Sequence, residues 1–239
     1  MYKYIQLISY VLFLVVFTLQ GKNFNVSRVK AIILGLCSMV INWILLKSLA
    51  WIENGFDAFG AENIIRVYVF LPVLFYLLAK VANVKPTKFL DMHAIVGPLV
   101  YGVGHLACIF AGCCHGFKYY EGTVMYNIAH TLTGGNMLPL QLFESVSALV
   151  VFELVYIVGR IKNYKTNGRL FCLWYIVFGT QRFFWEFLRD NTKVIIFAPM
   201  KQADGYIGIS NLAIWSALMA IAGVVMLVFI RNLEKKNKI

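Results

Sequence analysis

Long apolar runs broken by short polar intervals organise this chain from one end to the other. Seven of them, at about residues 5–20, 31–52, 67–82, 94–112, 142–161, 170–188 and 211–230, have lengths near the roughly 20 residues that a helix needs to cross a bilayer. The third is short and contains Pro72, which predicts a kinked or tilted span. The pattern predicts an all-α integral membrane protein of about seven transmembrane helices, forming a single transmembrane domain over residues 1–239. The first run has one lysine before it and no small-residue cleavage pattern after it, so it reads as a retained span rather than a removed signal peptide.

Composition agrees with this pattern. Hydrophobic residues make up 60% of the chain and charged residues 14%, and the mean hydropathy is +0.73. A soluble domain carries about 25% charged residues. The net charge of +11 does not point to nucleic acid, because the basic residues lie between apolar runs and not along one face. They set orientation and attract anionic lipid instead. The intervals after spans one, three and five, together with the tail, hold thirteen Lys and Arg residues. The opposite intervals hold six, with Glu53, Asp57, Glu62, Glu121, Asp190 and Asp204. The positive-inside rule then places the amino terminus outside and the carboxyl terminus inside. The interval from Cys113 to about Gln141 falls on the outer face, where a loop or arm between spans four and five is expected to lie on the membrane. Its Tyr119, Tyr120 and Tyr126 suit the headgroup level.

Three polar stretches interrupt the apolar pattern near that outer face. The first is Gly104-His105-Leu106-Ala107-Cys108-Ile109-Phe110-Ala111-Gly112-Cys113-Cys114-His115-Gly116. His105 and Cys108 are three apart and share a helix face. His105 is either a hydrogen-bonded core histidine or a base or headgroup donor. Cys108, Cys113, Cys114 and His115 match no standard zinc spacing, and no metal is expected from them. Cys37 and Cys172 lie inside apolar runs as small hydrophobes, and five cysteines do not make a disulfide framework in such a chain. The second stretch is Pro139-Leu140-Gln141-Leu142-Phe143-Glu144, with Gln141 and Glu144 on one helical face. Glu144 is either a first-turn acid favoured by the helix dipole or a member of a shared cavity. Third, Arg182, Glu186 and Arg189 fall at i, i+4 and i+7 near the end of span six. An arginine in a span costs at least about 2.5 kcal/mol and should face the interior. Arg182 with Glu186 is either a structural ion pair, leaving Arg189 to snorkel outward, or part of an anion site, since a guanidinium grips phosphate with two donors. Asp91 and His93 precede span four at its inner end, and Glu153 lies deeper than the outer cluster.

In order and spacing these stretches resemble the bacterial prolipoprotein diacylglyceryl transferase family. That family has a Gly-Arg-x-Gly-[Asn/Cys]-Phe-x-x-Gly-x-x-x-Gly run, then Pro-x-Gln-Leu-Tyr-Glu, then Arg-Phe-x-x-Glu-Phe-x-Arg. Here the matching runs are Gly104–Gly116, Pro139–Glu144 and Arg182–Arg189, and Ile209-Ser210-Asn211-Leu212 loosely resembles the family's entry to its last span. His105 stands where the family has arginine, Leu138 stands where a histidine usually precedes Pro139, and no His-Gly-Gly occurs near Arg66-Val67-Tyr68-Val69. The resemblance implies transfer of the diacylglyceryl group of phosphatidylglycerol, or another anionic phospholipid, to the thiol of a prolipoprotein signal-peptide cysteine. It implies no cofactor and a place in the bacterial cytoplasmic membrane, with no nucleic-acid partner. It casts His105, Arg182 and Glu186 as catalytic, and Gln141, Glu144, Arg189, Cys108, Gly116 and His115 as substrate-binding. A divergent acceptor, a non-catalytic lipid- or lipoprotein-binding protein and a small transporter are the alternatives. A transporter would need a polar path across the whole membrane, whereas these charges cluster in its outer half.

Overall fold

The computed structural model describes residues 1–53, 64–189, 194–202 and 205–236. Asp57, Glu62, Asp190, Lys193, Asp204 and Lys238, which enter the charge count, lie outside the described residues. The chain folds as α1 (Tyr2–Gly21) with a 3₁₀ turn (Lys22–Phe24), α2 (Arg28–Glu53), α3 (Ile64–Val81), α4 (Pro86–His105), α5 (Ala107–Ala111), α6 (Val124–Thr133), α7 (Leu140–Ile161), α8 (Arg169–Glu186), β1 (Val194–Gln202), β2 (Gly205–Ser210) and α9 (Asn211–Lys236). Among the described residues, six segments are long and apolar enough to cross a membrane: Tyr2–Phe24, Arg28–Ile52, Ile64–Val81, Pro86–Ala111, Leu140–Ile161 and Asn211–Lys236. The remaining expected span, the sixth, is α8, whose 18 residues include the charged Arg169, Arg182 and Glu186. It is a multi-pass helical membrane protein.

The centre of the bundle is α4, packed against α1, α3, α7 and α8. Without a hydrophobic drive between helices in lipid, close association depends on small residues. Between α8 and α9 these are Gly179 and Gly223. A Cβ on Gly179 would lie 2.7 Å from the Ala220 nitrogen, and one on Gly223 would lie 2.9 Å from the Tyr175 Cβ. Exposed Leu, Val, Ile and Phe cover the outside of the bundle, notably on α1, α2 and α9, as lipid contact requires.

Span four differs from its expected bounds. Pro86 begins α4 at the first turn, where proline's missing N–H costs nothing, so Asp91 and His93 lie inside the helix. Both are buried. Asp91 Oδ2 accepts from Thr166 Oγ1 at 2.5 Å and from the Gly168 N–H at 2.8 Å, and Oδ1 accepts from the Phe171 N–H at 3.0 Å. Asp91 thereby caps α8 from a neighbouring helix, satisfying N–H groups that the helix start leaves without partners. His93 is bracketed by the Phe89 carbonyl at 2.9 Å and Ser38 Oγ at 3.1 Å and lies against Phe17, Phe75 and Phe89.

The arm between α5 and α7 is held to the bundle by a backbone pairing of Gly116 with Arg189 and closed on itself by one of Lys118 with Met137. On the arm, α6 starts at the Thr123 cap, whose Oγ1 accepts from the Tyr126 N–H at 3.1 Å. Val124, Ile128 and Leu132, four residues apart, are exposed along one stripe, the form of a helix that lies in the headgroup plane. The β1–β2 ribbon is antiparallel. It occupies the interval that the sequence pattern marks only as an apolar patch with Gly205.

Candidate functional site

The ends of four helices meet at one point of the bundle: the end of α4, the start of α7, the end of α8 and the start of α9. An antiparallel succession of α4, α7, α8 and α9 brings these ends together. Glu144 stands at the centre and is buried, at 1% exposure. Its Oε1 is paired with Arg182 Nη1 at 3.0 Å and with Arg189 Nη2. Its Oε2 lies 2.6 Å from His105 Nε2 and accepts from Tyr101 Oη at 3.2 Å. Glu186 Oε1 pairs with Arg182 Nη1 at 2.6 Å and with Arg189 Nε at 3.0 Å. Glu186 Oε2 accepts from Ser210 Oγ at 2.9 Å. Two guanidinium groups and two carboxylates thus neutralise one another within a single buried network, the arrangement that makes interior charge tolerable.

This places four of the expected residues, His105, Glu144, Arg182 and Glu186, together with Arg189. Arg182 faces the interior rather than lipid. Arg189 lies just past the end of α8, and it turns inward instead of snorkelling. Gln141 is buried one turn before Glu144 and donates from Nε2 to the Cys113 carbonyl at 3.0 Å, so it holds the cysteine turn and not the arginines. Gly116 serves close approach: its N–H donates to the Leu138 carbonyl at 2.8 Å, and a Cβ there would lie 2.6 Å from the Leu188 carbonyl oxygen. His115 is set apart, its Nδ1 lying 3.4 Å from the carbonyl of Gly116.

Tyr101 and Ser210 also enter the network, and sequence reasoning had not singled out Tyr101. It lies four residues before His105, one helical turn away, and its ring stacks on the imidazole at 5.0 Å. Ser210 both binds Glu186 and accepts from the Ala213 N–H at 3.0 Å as the cap of α9. A serine just before an apolar run is a readable capping signal.

The cysteine turn completes the site. Gly112 closes α5 in the left-handed region at φ 64°, and Cys114 follows at φ 63°, an uncommon conformation for a residue with a side chain. The chain therefore doubles back, and Cys114 returns beside Cys108 and His105. The Cys108 thiol donates to Cys114 and holds it at about 5, against burial and with help from the positive charge of Arg189. Cys113 lies beside these thiols but outside that trio, its Sγ donating to the Cys108 carbonyl oxygen at 3.9 Å.

The fold and the site define a polytopic membrane protein with a buried, charge-compensated polar network at one end of its helix bundle. The sequence profile of the prolipoprotein diacylglyceryl transferase family matches residues 22–229, and the chain belongs to that family. It is 28% identical over 165 residues to the phosphatidylglycerol–prolipoprotein diacylglyceryl transferase of Clostridium tetani, an overlap of 68% of this chain and 61% of that protein. It is also 28% identical over 144 residues to phosphatidylglycerol–prolipoprotein diacylglyceryl transferase 2 of Clostridium perfringens, covering 59% of this chain and 50% of that one.

Proposed function

We propose that this chain transfers the diacylglyceryl group of phosphatidylglycerol, or of a related anionic phospholipid, to the thiol of a cysteine in a lipoprotein signal peptide. The observation that carries the reading is the convergence of Arg182 and Arg189 with His105 and Glu144 in a buried network of a family member. In the reaction the acceptor sulfur attacks the glyceryl carbon bearing the phosphate ester. An S–C bond forms, the C–O bond breaks, and glycerol phosphate leaves with the electron pair. Arg182 and Arg189 offer paired N–H donors to the phosphate as its charge grows, a low-dielectric placement in which such donors count most. Glu144 and Glu186 aim the guanidinium groups, and Tyr101 and Ser210 aim the two carboxylates. His105 is held through Nε2 by Glu144 and turns Nδ1 towards Cys108, beside the place where the acceptor thiol must lose its proton.

The network lies towards the outer leaflet if the thirteen basic residues mark the cytoplasmic side of a bacterial cytoplasmic membrane. A transporter reading lacks support, since Asp91, which would extend a polar path, is engaged in capping α8. The test uses purified full-length protein, vesicles of phosphatidylglycerol labelled in the acyl chains, and a peptide carrying a lipoprotein signal cysteine. Label should appear on the peptide and not on its Cys→Ser counterpart. Lipid binding without any transfer would instead make the chain a lipid-binding relative.

A further inference from the structure

His105, Cys108 and Cys114 each offer one ligand atom, and these three atoms lie within 4.8 Å of one another. We propose that they form a three-ligand site for zinc or another soft divalent cation, with the fourth position open to the acceptor thiol. This second half rests on the transferase reading above.

One edge of the trio already stands near the spacing of a metal site. With Zn–S near 2.3 Å and Zn–N near 2.05 Å, a tetrahedral ion sets sulfur and nitrogen ligands about 3.6 Å apart and two sulfurs about 3.8 Å apart. His105 Nδ1 and Cys108 Sγ stand 3.8 Å apart, so that edge needs a closure of only about 0.2 Å to reach the zinc spacing. Zinc-bound histidines usually have their second ring nitrogen held by a carboxylate, which fixes the tautomer. Here Glu144 lies 2.6 Å from Nε2, which leaves Nδ1 to face the two sulfurs. Charge also balances. Arg182 and Arg189 offset Glu144 and Glu186, so two cysteine thiolates would add a charge that one divalent cation cancels. Two sulfurs and one imidazole favour zinc over hard cations such as magnesium or calcium.

The open position gives the site a use. A three-ligand zinc site keeps its fourth place for water or substrate, and a thiol that binds there is deprotonated outright. The acceptor thiol would release its proton to solvent on binding the ion. The metal-held sulfur then forms the S–C bond as the C–O bond of the lipid breaks and glycerol phosphate leaves with the electron pair. This supplies a route to the thiolate in a chain without a His-Gly-Gly near Arg66 and with His105 in place of arginine.

The experiment is zinc K-edge absorption and Co(II) titration of the full-length protein in detergent, after chelator treatment and reloading. One ion per chain is expected, with two sulfurs and one nitrogen from protein, and Co(II) bands of thiolate ligation that zinc displaces. Cys108→Ser and Cys114→Ser should each weaken zinc binding by at least about 100-fold, and Cys113→Ser should not. A shell of oxygen and nitrogen alone, or unchanged bands in both serine variants, overturns the site. The wild-type absorption spectrum decides the matter even if a serine variant fails to fold. Adding the acceptor peptide should raise the sulfur count from two to three, and its Cys→Ser counterpart should not. A count fixed at two overturns the acceptor half and leaves the ion. Absence of glyceryl transfer with the metal shell intact counts against the transferase reading alone.

Discussion

Arg182 and Glu144 are separated by 38 positions in sequence, yet Nη1 of one lies 3.0 Å from Oε1 of the other inside the bundle. That contact ties α8 to α7 at the buried network. Arg182→Lys should lower transfer at least about tenfold while the protein still folds, because an ammonium cannot reproduce the planar fork. Glu144→Gln is the harsher change: it leaves two buried arginines short of a partner and should cost about 3 kcal/mol of stability. Turnover per folded molecule and the thermal unfolding midpoint separate the two effects. Wild-type turnover in Arg182→Lys would reduce the pair to a structural brace.

Asp91→Asn should show the opposite profile. It weakens a cap made of three hydrogen bonds at the far end of α8 and should cost about 1–2 kcal/mol. The measurement is a lowered unfolding midpoint at unchanged transfer per folded molecule. A catalytic loss without a stability loss would contradict the assignment of Asp91 to capping.

Gly116→Ala places a methyl group 2.6 Å from the Leu188 carbonyl oxygen and 3.0 Å from the Leu138 Cβ. The arm must then shift away from the bundle. We expect a loss of about 1–3 kcal/mol and faster proteolysis between Phe117 and Asn136. Digestion at the wild-type rate would show that the pairing of Gly116 with Arg189 is not what seats the arm.

Cys114 should react as a thiolate across the neutral range. A group held at about 5 is ionised above that pH and protonates only as pH falls through it. In metal-free protein, alkylation of Cys114 should stay level from about pH 6.5 to about pH 8.5, while Cys113, whose thiol is pushed up by burial, should gain about tenfold per unit. Peptide mapping after a timed iodoacetamide pulse reads both. A Cys114 rate that climbs like that of Cys113 would refute the thiolate.

Orientation follows from the basic asymmetry. A reporter after Ile239 should be cytoplasmic, and a tag between Tyr119 and Gly135 should be reached by an impermeant reagent from outside. An external carboxyl terminus would turn the whole arrangement over.

The helices and the stripe of Arg182 and Glu186 were legible because hydropathy and helical period are local properties of sequence. The same patterning shows that Gln141 and Glu144 share a face. It does not show that Gln141 serves the cysteine turn, because that depends on where the arm returns. Asp91 reads as a loop acid before span four, yet its partners lie at Thr166, Gly168 and Phe171, far along the chain. Tyr101 looks like one more aromatic in an apolar run until packing against α7 brings Glu144 to its hydroxyl. Cys108 and Cys114 match no ligand spacing, since what joins them is a pair of left-handed residues, at Gly112 and Cys114. The β1–β2 ribbon is weakly marked because its strands lack a clean alternation of apolar and polar residues.

The self-neutralising network of Glu144, Glu186, Arg182 and Arg189 has a consequence for how any phosphate enters. Neither guanidinium waits as bare positive charge, so on the transferase reading proposed above an arriving headgroup would compete with Glu144 and Glu186 for Arg182 and Arg189. The network would then work as an anion exchanger and not as a trap. Such a swap would yield little net energy per encounter, and occupancy would depend on crowding of the lipid in its own leaflet. The same balance would favour departure: once the ester bond breaks, Glu144 and Glu186 would reclaim the arginines and release glycerol phosphate.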